Sequence, residues 1–196
     1  YSAYSGFMFC HQSVLAGVDL RQLLPKMKMY AGTIAKLGQE SSLHIVDATW
    51  QYGRILTGVD PAVGGISGGA FEDGRLARLT AANDRSSSSL IYMLEVQLGL
   101  YMRDLEGARN STILARSHQD AAVSIFTVPV WHAFDVLVHL ADLDEQPEDV
   151  RQTRLKEADA FIAKLTEWNG WCASNISAML ALCEAERARV GGDELL

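Results

Sequence analysis

The stretch from Asn83 to Ser117, NDRSSSSLIYMLEVQLGLYMRDLEGARNSTILARS, constrains the fold more than any other part of the chain. Leu90, Leu94, Leu98 and Tyr101 recur at helical spacing, while Ile91, Met93, Val96, Leu100 and Met102 fill the remaining faces. A helix apolar nearly all round has no side to leave to water, so it must be covered on both sides. Asp104 then offers its carboxylate to the amides that open a second helix, on which Leu105, Ala108, Thr112 and Ala115 form a narrow stripe. Gly107 and Ala108 allow the two backbones to approach closely. The spacing therefore predicts a tight helical hairpin, a unit that buries its inner helix only when neighbours stack against it.

The rest of the chain repeats that theme. From Tyr1 to Ala16 the pattern is helical and aromatic-rich, with Tyr4, Phe7, Met8, His11 and Leu15 on one side. Asp19 is placed to cap a helix carrying Leu20, Leu23, Leu24, Met27, Tyr30, Ile34 and Leu37, which Gly38 stops. Pro25 falls early in it, so either that helix starts at Leu24 or its first turn is distorted. A third helix runs from Ser42 to Thr57 with Ile45, Ala48, Thr49, Tyr52 and Leu56 inward. The glycine-rich stretch from Gly58 to Phe71 reads as an irregular loop. It lacks both the Lys-Ser/Thr pair and the preceding strand that a phosphate-binding loop needs. A short helix, Asp73 to Ala82, leads into the central hairpin, and Ser86 to Ser89 read as a helix cap or as an exposed phosphate-accepting run.

Beyond Ser117, Pro129 suits the first turn of a helix carrying Val130, Phe134, Leu137, Val138 and Ala141, and an acidic turn, LDEQPED, follows. Pro147 opens a long helix with Leu155, Ala158, Phe161, Ile162, Leu165 and Trp168 inward. A last one, from about Trp171 to Val190, faces Ile176, Met179, Leu180 and Cys183 inward. The chain thus reads as all-α, about nine helices without a convincing strand, pairing into units of about 35 to 45 residues, the period of a helical solenoid. Residues 1–196 read as one such array.

With 48% hydrophobic and 21% charged residues the chain is globular rather than disordered. A net charge of -7, with no visible cluster of Lys and Arg, argues against a nucleic-acid surface. No apolar run is long enough to span a bilayer, and no secretion signal opens the sequence. Cys10, Cys172 and Cys183, odd in number and set among apolar residues, suit a reduced cytoplasmic setting. An opening on Tyr1 and a turn signal at Gly191-Gly192-Asp193 suggest a piece cut from a longer multidomain chain.

The sharpest chemical constellation is His132-x-x-Asp135-x-x-x-His139-x-x-Asp142, which falls along one helical flank at a spacing from which imidazole and carboxylate can share a metal. No third ligand is evident, which favours a solvated stripe opposite Phe134, Leu137 and Val138 and leaves the chain with no assigned metal or cofactor. Together with Trp131, Trp168 and Trp171, residues His132, Asp135 and His139 form the candidate ligand or partner surface. Packing between the last two helices is the plainer role for Trp168 and Trp171. The acidic turn reads as solvated rather than as a magnesium-diphosphate site.

At Arg103-Asp104-Leu105-Glu106-Gly107-Ala108, followed by Ala115 and preceded by Tyr92, the chain resembles the tetratricopeptide repeat, from which Val96, Gly99 and Asp120 depart. A wider resemblance runs through Ala70-Phe71-Glu72-Asp73, Ala82-Asn83-Asp84-Arg85, Asp104 to Ala108, Phe134-Asp135 with Leu137, Leu165-x-x-Trp168, Ala185-Glu186-Arg187-Ala188-Arg189 and Gly192-Asp193. From about Leu23 onward it is similar to the helical region of large hybrid signalling proteins. In that family a serine/threonine kinase-like module and an AAA-type ATPase precede the helical region, and a GAF sensor and often a histidine kinase follow. The resemblance implies a right-handed, tetratricopeptide-like solenoid that regulates rather than catalyses, since the catalytic signatures of the other modules are missing. It also implies partners among neighbouring domains of the same polypeptide or another protein, with Asp104, Leu105, Gly107, Ala108 and Ala115 as the structural turn.

The expectation is therefore a non-catalytic module for protein interaction and signal relay, free to form oligomers. The rival is a small-molecule or metal sensor, or an enzyme, with an apolar pocket between helices near Trp131, His132, Trp168 and Trp171.

Overall fold

The computed structural model describes residues 2–61, 65–121 and 125–192; Tyr1, residues 62–64 of the glycine-rich loop and Asp193 lie outside them. Among the described residues the fold is all-α, with nine α-helices, two short 3-10 turns and no strand. Contacts group into two compact units, Tyr1–Thr127 and Val128–Leu196.

The first unit holds α1 (Ser2–Leu15), α2 (Leu20–Lys36), α3 (Glu40–Leu56), α4 (Arg75–Ala81), α5 (Arg85–Met102) and α6 (Leu105–Ser117). Helix α1 packs on both α2 and α3, α3 packs on α5, and α5 takes α4 and α6. Asp19 caps α2 as expected, its Oδ1 accepting the Arg21 amide at 2.9 Å. The helix starts at Leu20 rather than Leu24 and runs through Pro25. Pro25 withholds one amide, the donor the Arg21 carbonyl would otherwise receive, and the helix tolerates this near its first turn.

Helix α5 is buried at every position from Ser87 to Gly99 except the half-buried Glu95, as its all-round apolar sequence requires. Ile91, Leu94 and Leu98 join Ala48, Tyr52, Ile55, Ile66, Phe71 and Leu79 in one core cluster. The cap of α5 is Asp84, which accepts the Ser87 amide at 3.1 Å. The serine run is not the cap: Ser87, Ser88 and Ser89 are buried, which removes them as an exposed phosphate-accepting run.

Between α5 and α6 the chain turns through Arg103 in the left-handed region (φ 62) and Asp104, whose Oδ1 accepts the Gly107 amide at 3.0 Å. Ala108, Thr112 and Ala115 are buried along α6, and Leu105 is half-buried. The close approach falls at Gly99, whose added Cβ would lie 3.0 Å from Ala108 Cβ, the Ala108 nitrogen and the Asp104 carbonyl oxygen. Gly107 serves the cap instead, since a side chain there would collide with the Asp104 carboxylate. Two of the three Gly99 neighbours are backbone atoms that cannot rotate away. Gly99→Ala is therefore expected to destabilise the protein by about 2 kcal/mol in chemical denaturation, and an unchanged midpoint would show that the α5–α6 contact is looser than this.

The second unit holds α7 (Thr127–Leu140, starting on the last residue of the first unit), α8 (Glu148–Asn169) and α9 (Ala173–Gly191). Its core joins Ala133, Val136, Leu140 and Leu143 to Ala158 and Leu165 of α8 and to Ile176, Leu180, Cys183 and Val190. Pro147 stands at the N-cap position of α8 without a side-chain capping bond, and Gly192, in the left-handed region (φ 77), ends α9. The acidic turn is held by arginines, with Arg154 on Asp142 at 3.0 Å and Arg151 and Arg189 on Asp144 at 3.5 and 3.6 Å.

Candidate functional site

The α7 constellation is buried rather than solvated. His132 and His139 are almost fully covered and Asp135 is 0% exposed, so the solvated-stripe reading is corrected. Helix α7 is rich in large apolar side chains on every face, and the imidazoles and the carboxylate are buried with them. A His132 ring N–H (Nδ1) donates to the Val128 carbonyl at 2.9 Å, and the ring meets Trp131, Phe161 and Trp168 edge-on with centroids 4.8 to 5.2 Å apart. His139 stacks over Phe161 at 6.2 Å, with Nε2 2.9 Å from Glu157 Oε2 and 3.9 Å from Asp135 Oδ1.

The six residues of the expected surface therefore do not share one exposed face. Trp131, His132, Asp135, His139 and Trp168 belong to a packed aromatic and imidazole layer, while Trp171 stands 78% exposed after the end of α8. Trp168 packs on His132, whereas Trp171 does not pack between the last two helices as the plainer reading expects. No cluster of three metal-ligating side chains occurs among the described residues. Burial pushes the thiols of Cys10 and Cys183 up to about 12, so both are poor nucleophiles, and Cys172 is the exposed cysteine.

A polar network on α3 and α5, absent from the sequence reading, secures the described part of the glycine-rich loop. Gln51, fully buried, donates from Nε2 to Asp60 Oδ2 at 2.9 Å and to the Ser67 carbonyl at 3.1 Å, and its Oε1 accepts the Ala70 amide at 2.8 Å. Arg54 holds Asp60 with two bonds of 2.8 and 2.7 Å. With Gln51 it keeps that carboxyl at about 2, well below the ordinary range. Glu95 Oε1 accepts the Ile66 amide at 2.8 Å, and burial pushes its carboxyl upward. Arg75 clasps Asp47 at 2.9 Å and lies over the Phe71 ring at 5.0 Å. So anchored, Ile66 and Phe71 enter the core, and the loop acts as a structural plug. The available signal was a glutamine on an inward face of α3 and a glutamate interrupting the apolar run of α5.

Two clefts accompany this framework. One, of about 320 Å³, is lined by Gly65, Glu95, Leu98, Gly99, Asp104 and Ser111 among others. The other, of about 510 Å³, runs between α2 and α3. Leu24, Pro25, Arg21 and Lys28 form one wall, and Trp50, Arg54 and Thr57 form the other, with Val59 beside them. The Arg54 guanidinium lies over the Trp50 ring, 5.7 Å from its centroid. Arg21, Lys28 and Arg54, well separated in the sequence, thus line one groove.

Among the described residues the fold defines an all-α protein. Compared with family models, with curated proteins and with solved structures, the chain has no match in any of the three. No described helix is long and apolar enough to cross a membrane.

Proposed function

We propose that this chain is a non-catalytic helical-repeat module, a tetratricopeptide-like solenoid that holds protein partners and relays signals within a multidomain ATPase and kinase signalling protein. The observation that carries this reading is a row of contacts in the first unit: α2 lies on α3, α3 on α5, and α5 on α6. Helices packed mainly on those one or two places along in the chain, as α1 is on α2 and α3, form an extended surface rather than a closed catalytic centre. A displacement at one end of such a row passes along it as local rearrangement.

The test places photo-reactive residues at Val59, Ile113 and Trp171, exposed positions on different elements, in the whole gene product. Cross-links to another module or another protein are the expected result. Thermal shift with divalent metals and small apolar compounds addresses the rival sensor reading: a specific rise in the midpoint with no cross-link would overturn the interaction module in favour of a ligand pocket.

A further inference from the structure

Resting on that reading, we propose that the groove between α2 and α3 receives an acidic peptide segment of a partner protein, anchored by an apolar side chain. Its walls follow from helical geometry. Arg21, Leu24 and Lys28 stand three and four residues apart on one stripe of α2, and Trp50 and Arg54 stand four apart on α3, with Thr57 at its C-cap. The lining joins apolar Leu24, Pro25, Trp50 and Val59 to the cations Arg21, Lys28 and Arg54, and the volume of about 510 Å³ suits an anchoring side chain with its flanks.

Charge decides the occupant. The chain carries a net charge of -7, yet α2 bears Arg21, Lys26, Lys28 and Lys36 and no acidic residue. Arg54 is already neutralised by Asp60 and contributes a flat cation stacked on Trp50. Arg21 and Lys28 are exposed and enter no ion pair with the described residues, so their charge is left for a ligand. Carboxylates spaced on either side of an aliphatic or aromatic residue match this pattern. Nucleic acid matches it poorly, because a phosphate backbone needs a longer run of cations than this groove supplies.

The probes are a short fluorescent peptide alternating glutamate with leucine and phenylalanine, its lysine counterpart, and an oligothymidylate. Fluorescence anisotropy on the whole chain is expected to show salt-sensitive binding of the acidic peptide alone. Arg21→Glu with Lys28→Glu weakens it at least tenfold, while Lys36→Glu, outside the groove, leaves it within twofold. Both variants change exposed side chains, and matching thermal midpoints confirm that they fold. Absent binding, equal binding of the lysine peptide, indifference to the double variant, or tighter binding of oligothymidylate would each overturn the proposal. Cross-links from Ile113 or Trp171 with none from Val59 would sink the groove while leaving the interaction reading in place.

Discussion

Lowering the pH from neutral to about 4 is expected to reduce the unfolding free energy by about 3 kcal/mol through His11 alone. His11 lies on α1 at 1% exposure, and neither ring nitrogen has a hydrogen-bond partner among the described residues. Burial pushes its imidazole from 6.5 down to about 4. The unfolded chain therefore takes up this proton at a higher pH than the folded chain. Stability from this group is complete above pH 6.5 and is lost as the pH falls toward about 4. Burial and Arg75 lower the His44 imidazole too, which acts in the same direction. Burial raises the carboxyls of Asp47 and Glu95, which bind protons more readily when folded and oppose the trend. Urea unfolding of the wild type and of His11→Leu across this window isolates the imidazole. The variant should lose the His11 part of the slope and gain about 1 kcal/mol at neutral pH, because an unpaired polar ring leaves the interior. Parallel curves for the two proteins would refute the assignment.

The second large effect concerns Gln51. Gln51→Ala removes the donor to Asp60 and to the Ser67 carbonyl together with the acceptor of the Ala70 amide, all at a fully buried position. Leaving the loop groups unpaired and opening a cavity is expected to cost about 3 kcal/mol in denaturant unfolding. Amide exchange should quicken at Ile66 and Ala70, because the loop loses its tie to α3 while Glu95 still holds one end. Gln51→Glu keeps the acceptor for Ala70 but sets a second carboxylate against Asp60, so it should destabilise at neutral pH and recover as the pH falls. A loss below about 1 kcal/mol for Gln51→Ala would show that the loop holds its conformation without this side chain.

Much of the framework was readable before any coordinates. The all-round apolar face of α5 demanded cover on several sides, and α3, α4 and α6 supply it. Asp19 and Asp104 are caps because a short carboxylate before an apolar periodic run meets amides with no helical partner. The inward residues of α8 and α9 followed from their spacing. The candidate surface was less readable. His132, Asp135 and His139 carry polar side chains at positions where solvent was the simplest expectation, and only their surroundings show them covered. Gln51 and Glu95 were missed for the same reason: their partners, Ser67, Ala70 and Ile66, lie 16 to 29 residues away and leave no periodic trace.

The sequence by itself determined the helical class, the approximate limits of the helices and the tight α5–α6 turn, because spacing, capping and backbone preference act over a few residues. Tertiary structure alone decided that Gly99 rather than Gly107 receives the neighbouring helix, that the glycine-rich loop enters the core, and that Arg21, Lys28, Arg54 and Trp50 share a groove. Those outcomes depend on which surfaces meet, and burial and charge compensation are properties of the assembled interior that no single stretch of chain contains.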